Sequence, residues 1–376
     1  MLSIICILVA FGLITLASAS SYYSLSMFDS SNSLWIRQGI FAGIGIVAML
    51  AISMFDYTKF KKLSYLGFFI TTILMALVLV PGISSTSKGA TRWIGIGNFT
   101  FQPSEIMKIV LVLTVSTYIV LNLKKMVNIK KITDIVPYIP IILILLIVMT
   151  IMYFQDHLSG TLVMIVATMS VIFTLGVKVS AKFVIPIITL ALIGGAVFIC
   201  SDMINFETGE FNPEDSYRFK RIVAFLNPEE DLKGSNWQAA QSLYAIGTGG
   251  VFGLGIGQSR QKYLWLPEVQ NDFIFSVLAE ELGLIGTLAT LGLFMYFIYR
   301  GLYIAMKCND LYGTLIASGI TIVFAFQIIV NIAVVTCSMP VTGMPLPFFS
   351  YGGTALLINL STMGILLNIS RNIKSA

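Results

Sequence analysis

Histidine occurs once in this chain, at position 157, and the four cysteines (Cys6, Cys200, Cys308 and Cys337) stand far apart with no CxxC pair. A site built from several histidines is thereby excluded, and the thiols give neither zinc-ligand spacing nor a disulfide framework. Charge is scarce too: Asp, Glu, Lys and Arg make up 11% of the residues, against about 25% in an ordinary soluble domain. A chain of 376 residues with so few charges cannot clothe two or three soluble domains. Nor does the net charge of +5 indicate a nucleic-acid partner, because basic residues in so apolar a chain mostly set topology. What replaces charge is apolar surface, with 57% hydrophobic residues and a mean hydropathy of +0.89. This is the composition of an all-α polytopic membrane protein, read as one integral membrane domain over residues 1–376.

A helix crossing the hydrocarbon core takes about 20 apolar residues. Ten stretches qualify: 2–22, 35–55, 63–81, 103–122, 136–154, 159–177, 183–201, 272–299, 312–335 and 348–369. The first ends in small residues that imitate a signal-peptidase site. No Lys or Arg precedes it and it is long enough to span, so it reads as a retained helix. With the N-terminus inside, thirteen basic residues fall on inner loops, among them Lys59, Lys61, Lys62, Lys124, Lys125, Arg300 and Lys307. Only Arg37, Lys88 and Arg92 fall outside, leaving aside one long loop. That asymmetry predicts both termini in the cytoplasm, with a large extracytoplasmic loop at 202–271 between the seventh and eighth spans.

The chemistry concentrates where this loop re-enters the membrane. Six glycines between Gly247 and Gly257 let backbone approach a ligand or another helix closely. Arg260 and Lys262 follow, and then Asp272 at the head of the apolar run FIFSVLAEELG. A lone carboxylate beside cations and bare backbone suits an amphiphilic anionic substrate. Asp is also a favoured helix N-cap, and the two roles are compatible. Glu280 and Glu281 lie about 12–14 Å deeper along a continuous helix, and Glu105 and Lys108 sit one turn apart on the fourth span. A buried charge at mid-membrane costs roughly 2.5–3.5 kcal/mol. One structural ion network of Glu105, Lys108, Glu280 and Glu281 is therefore expected, with an ion or proton path as its functional rival.

Other features are weaker. Lys88 and Arg92, with Trp93 as an interfacial anchor, and Arg218 and Arg221 in YRFKR, are cations able to hold phosphate oxygens. His157 stands in a tight turn with Asp156, which suits capping or hydrogen bonding better than catalysis. Trp237, Ala240, Gln241 and Tyr244 fall at helical spacing and predict a helix resting on the membrane surface. GLGIGQSR lacks the GK[ST] of a P-loop. The segment Pro340 to Thr354 carries three prolines and three glycines, and such broken backbone is tolerated in a membrane only where protein or a wet cavity satisfies it.

Four blocks, KGATRWIGIG (88–97), FQPSEIMK (101–108), the run from Gln241 to Gly283 and GMPLPFFSYGGT (343–354), resemble the SEDS family of RodA, FtsW and SpoVE. The likeness covers nearly the whole chain. It implies a peptidoglycan glycosyltransferase that polymerises lipid II outside the cytoplasmic membrane, beside a class B penicillin-binding protein that crosslinks the strands. It further implies that Asp272, in the DFIF block, is the family's essential aspartate. The KGxxRW block carries over as Lys88, Arg92 and Trp93, and the QPSExxK block as Gln102, Glu105 and Lys108. Two departures stand out: Gln155-Asp156-His157 replaces the usual Glu-Pro-Asp or Gln-Pro-His turn, and Cys337 replaces a glycine. QSRQKYLWLPE leans to the division and sporulation branch, although Met344-Pro345-Leu346-Pro347 also occurs in RodA-like members.

In that chemistry Asp272 takes the proton from the acceptor sugar hydroxyl. Pyrophosphate leaves without a second carboxylate once its charge is stabilised by the cations or by a divalent metal, magnesium or manganese. A single base without a covalent intermediate inverts the anomeric carbon. A lipid II transporter and a non-enzymatic scaffold remain as alternatives. A scaffold would tolerate Asp272→Asn.

Overall fold

The computed structural model describes residues 1–82, 84–87, 90–96, 99–126, 136–175, 225 and 236–373. Among them are eleven α-helices and one small sheet. The helices are α1 Leu2–Ala19, α2 Ser21–Phe28, α3 Ser33–Met54, α4 Phe60–Leu77, α5 Pro103–Met126, α6 Ile139–Phe154, α7 Leu158–Thr174, α8 Trp237–Gly249, α9 Ile274–Lys307, α10 Leu311–Val335 and α11 Gly353–Arg371. Eight of these segments are long and apolar enough to cross a membrane, and α7, with 17 residues, is a shorter apolar helix. The expected span at 183–201 lies outside the described residues. The chain is a helical polytopic membrane protein.

Composition along each helix decides its place. The most apolar windows of α10 and α11 are 67% buried and that of α5 61%, whereas those of α4 and α6 are 17% buried. The first three form the centre, interlocked through Val112, Val115, Ile316, Ile320, Leu360 and Leu366. The last two turn Leu66, Phe69, Leu143 and Ile147 outward, a continuous apolar exterior that only lipid can cover.

At one end, Tyr57 N donates to Asn368 Oδ1 (3.0 Å), Asn368 Nδ2 and Arg371 Nη1 donate to Ser53 O, and the Tyr57 hydroxyl bonds Asp310. This collects the ends of α3, α10 and α11 with the basic residues Lys59, Lys61 and Arg371. At the other end the irregular segment 340–352 leads into α11.

Residues 90–96 of the KGATRWIGIG block, placed by the sequence among the outer loops, form a strand. β1 Ser84–Ser87, β2 Ala90–Ile96 and β3 Phe99–Phe101 pair antiparallel in that order, with Trp93 opposite Ser85 and Ile94 opposite Phe101. Thr354 Oγ1 reaches Thr100 O (3.5 Å), tying this sheet to the start of α11.

The 34-residue α9 is not one helix. Gly283 has φ 64° and ψ −165°, so a short helix, 274–282, precedes the long one. The glycine run fills the break: Leu254 N and Gly255 N donate to Glu280 O (3.0 Å) and Glu281 O (2.9 Å), while Leu284 N and Ile285 N donate to Gly250 O and Val251 O. Backbone freed inside the membrane is thus met by backbone. A Cβ on Gly283 would lie 2.3 Å from Gly253 N. Gly283→Ala is expected to combine that clash with a conformation only glycine enters, costing more than about 3 kcal/mol. The readout is the yield of monodisperse protein in detergent; wild-type yield and melting would contradict it.

Candidate active site

Asp272 sits immediately before the short helix, half-buried, on a backbone held from three sides. Three successive carbonyls each accept one hydrogen bond: Gln270 O from Tyr351 N (2.9 Å), Asn271 O from Ser350 Oγ (2.6 Å) and Asp272 O from Asn331 Nδ2 (2.8 Å). Ser350 Oγ in turn accepts from Leu346 N (2.7 Å), and buried Gln38 of α3 grips Ser350 O and Gly352 N. The proline-rich segment is therefore a clamp on the residues leading to Asp272. Gly343, at φ 71°, forms the wall beside the carboxylate: a Cβ there would stand 3.4 Å from Asp272 Oδ2. Phe273 takes the N-cap position of α9 with no side-chain cap.

The expected single ion network is two separate clusters. Lys108, 2% exposed, pairs with Glu105 at 2.7 Å on α5 and also reaches Gln327 of α10 (3.3 Å). Glu280 and Glu281 face elsewhere. Glu280 accepts from Ser259 Oγ (2.5 Å), Arg260 N (3.0 Å), Gln261 N (3.3 Å) and Thr248 Oγ1 (3.4 Å). Glu281 Oε1 accepts from Ser18 Oγ of α1 (2.5 Å) and Ser259 N (3.2 Å), and pairs with Lys262 Nζ at 3.7 Å. The glycine run, folded back into the break at Gly283, leads into the residues that supply most of these partners. Lys262, expected to meet substrate, is buried and spends its charge on Glu281; its Nζ also bonds Gly257 O. Arg260 is exposed, with its backbone N–H fixed by Glu280.

The helix predicted at Trp237 forms, as α8. Ser242 Oγ bonds Ser276 Oγ (2.8 Å) and Val335 O (2.6 Å), so one face of α8 seats on α9 and α10 while Leu243 and Tyr244 stay exposed. Trp237 Nε1 donates to Trp265 O (2.7 Å).

Arg92 reaches from β2 to the turn between α6 and α7, where Nε donates to Gln155 O (3.4 Å) and Nη2 to Asp156 O. Trp93 beside it is half-buried. His157 occupies the N-cap position of α7 but caps nothing, and its Nδ1 is buried without a hydrogen-bond partner. Burial, helped by the Arg92 guanidinium, pulls its pKa down to about 3 from 6.5. Its neutral form is the folded one, so stability is intact above pH 6.5 and falls as pH drops from 6.5 towards 3, by up to about 1.4 kcal/mol per unit. Lowering pH from 7.5 to 5 should therefore reduce the melting temperature of wild type more than that of His157→Gln. Parallel declines would remove His157 as the cause. Lys88, Arg218 and Arg221 lie outside the described residues.

Residues 1–375 match the family model of FtsW, RodA and SpoVE, described as cell cycle protein. The chain belongs to the FtsW/RodA/SpoVE family. Stage V sporulation protein E of Bacillus subtilis (strain 168) is 40% identical over 365 residues, covering 97% of this chain and 94% of that protein. A probable peptidoglycan glycosyltransferase FtsW of Trichlorobacter lovleyi is 37% identical over 369 residues, covering 98% and 92%. Among solved structures, a chain from a peptidoglycan synthase complex that coordinates polymerization and crosslinking superposes with a TM-score of 0.76 at 26% identity, covering 100% of this chain and 98% of that one. The rod shape determining protein RodA of Thermus thermophilus gives 0.68 at 25% identity, covering 100% and 97%.

Within this FtsW/RodA/SpoVE-family fold, several residues around Asp272 escaped the sequence reading. Asn331 holds its carbonyl, Ser350 holds that of Asn271, Gln38 braces Ser350 and Gly352, and Ser18 and Ser259 hold the two glutamates. The available signal was a polar side chain inside an apolar run, as in IIVNIAVV around Asn331.

Proposed function

We propose that this chain is a peptidoglycan glycosyltransferase that polymerises lipid II, with Asp272 as the general base and inversion at the anomeric carbon. The observation that carries the reading is the carboxylate of Asp272, half-buried at the head of a short helix on a backbone fixed at three successive carbonyls. A general base gains from such fixity, because proton transfer depends on placement before pKa. The relatives named peptidoglycan glycosyltransferase and the synthase complex support the substrate class. The same complex supports a class B penicillin-binding protein as partner.

The orientation proposed puts both termini in the cytoplasm and Asp272 on the outer face; its support is the basic cluster around Lys59, Lys61 and Arg371 at the opposite end. Arg260, with Arg92 and Trp93 on the sheet and Lys88, Arg218 and Arg221 from sequence, is proposed to serve the pyrophosphate. Lys262 and Glu281 act in holding the loop. Among the described residues no three His, Cys, Asp or Glu side chains converge as a metal site, so no step is routed through a cation.

The test is labelled lipid II given to the purified protein with its co-expressed penicillin-binding partner, whose transpeptidase is blocked. Glycan strands are expected. Movement of lipid II across proteoliposomes without strands would favour transport, and neither product would favour a scaffold. In the same assay Arg260→Ala should lower kcat/KM about tenfold, the worth of one charge-assisted contact, with folded yield unchanged. Lys262→Ala should instead lower folded yield.

A further inference from the structure

We infer that Asn331 is a positioning residue for Asp272, an inference that rests on the base role proposed above. Asn331 lies in α10, 1% exposed, and spends both amide hydrogens on two backbone carbonyls, Asp272 O and Met344 O, each at 2.8 Å. Met344 follows Gly343, the wall beside Asp272 Oδ2. One planar group thus joins the backbone of the base to the backbone next to the surface its carboxylate faces, and it sets the gap between them.

The orientation of this amide is dictated. Turning it over would set Oδ1 against two carbonyl oxygens, an arrangement with no donor. The arrangement also carries a cost, because Asn331 Oδ1 is buried with no hydrogen-bond partner. An apolar side chain would spare Oδ1 but leave Asp272 O and Met344 O without this donor. What an apolar side chain cannot do is hold two carbonyls at a fixed separation, and that is the function assigned to Asn331. The clamps from Tyr351 and Ser350 act on Gln270 and Asn271, whereas Asn331 grips the carbonyl of Asp272 itself.

The experiment compares Asn331→Ala with Asn368→Ala in lipid II polymerisation by the partner-bound protein. Asn368 is the control, since it too is buried in the bundle, makes two side-chain hydrogen bonds, to Ser53 O and from Tyr57 N, and lies at the opposite end. Asn331→Ala is expected to lower kcat on the order of 10²-fold, with KM changed little. Asn368→Ala, at a comparable loss of melting temperature, should keep its kcat. Asn331→Asp, which keeps the shape but sets a carboxylate against two carbonyls, should also displace the acid limb of the kcat/KM profile. If Asn331→Ala does not fold, Asn331→Ser, whose hydroxyl serves one carbonyl, is expected to give an intermediate kcat. Equal loss in the 331 and 368 variants, or full kcat in any folded 331 variant alongside an inactive Asp272→Ala, would overturn the inference alone. Full turnover in Asp272→Ala would overturn the base reading and this inference with it.

Discussion

Asp272→Ala is expected to lose glycan polymerisation by about 10²–10⁴-fold, the range that a positioned general base contributes. Asp272→Asn should be as inactive, because the amide matches the shape but has no lone pair basic enough to take a sugar proton. Folding should survive both changes. Three hydrogen bonds that fix this segment go to the backbone carbonyls of Gln270, Asn271 and Asp272, which both variants retain. Strand formation measured per folded protein, with melting temperature and partner association in parallel, separates lost chemistry from lost structure. Asp272→Asn retaining more than about a tenth of wild-type turnover would move the proton transfer to another group.

Glu281→Ala is expected to fail for the opposite reason, in folding rather than chemistry. Lys262 Nζ would keep its charge in a buried site after losing the carboxylate at 3.7 Å, and Ser18 and Ser259 would lose their acceptor. Stranding one member of a buried pair typically costs about 3–5 kcal/mol. The double change Glu281→Leu with Lys262→Met removes both charges, and it should recover most of that loss because neither ion remains to be desolvated. Thermal unfolding in detergent of the two single variants and the double variant gives the coupling directly. A double variant as unstable as Glu281→Ala would show that hydrogen bonds to Ser18 and Ser259, not charge, hold α1 to the loop.

Hydropathy made the spans legible, because a run such as ILILLIVM can only be a lipid-facing or core helix. Helical periodicity also placed Glu105 and Lys108 side by side, and they are paired. The same periodicity misled about three turns past Asp272. It assumed that the helix carrying Glu280 continues into the span, whereas Gly283 breaks it and the glycine run folds back to present Ser259, Arg260 N–H and Gln261 N–H to the carboxylate. Those contacts join residues about twenty positions apart through a loop with no period to read. The sheet was hidden by its brevity, since β3 spans three residues and alternation cannot be recognised over so few. Asp272 stood out from sequence as a lone acid at a membrane mouth; the residues that hold it are amides and hydroxyls whose partners are backbone atoms, and backbone leaves no mark in composition.

The break at Gly283 bears on the order in which the chain assembles. The stretch 274–282 covers about 13 Å at 1.5 Å per residue, less than half the hydrocarbon thickness, while 284–307 covers about 36 Å and crosses alone. Insertion machinery that selects on hydrophobic length therefore recognises the later segment as the membrane anchor, and the short helix is left as its unpaired prologue. That prologue has carbonyls at Glu280 and Glu281 with no helical partner until Leu254 and Gly255 arrive. The backbone bonds between 250–255 and 280–285 are accordingly expected to close by docking between elements already in the bilayer, after the long segment has crossed.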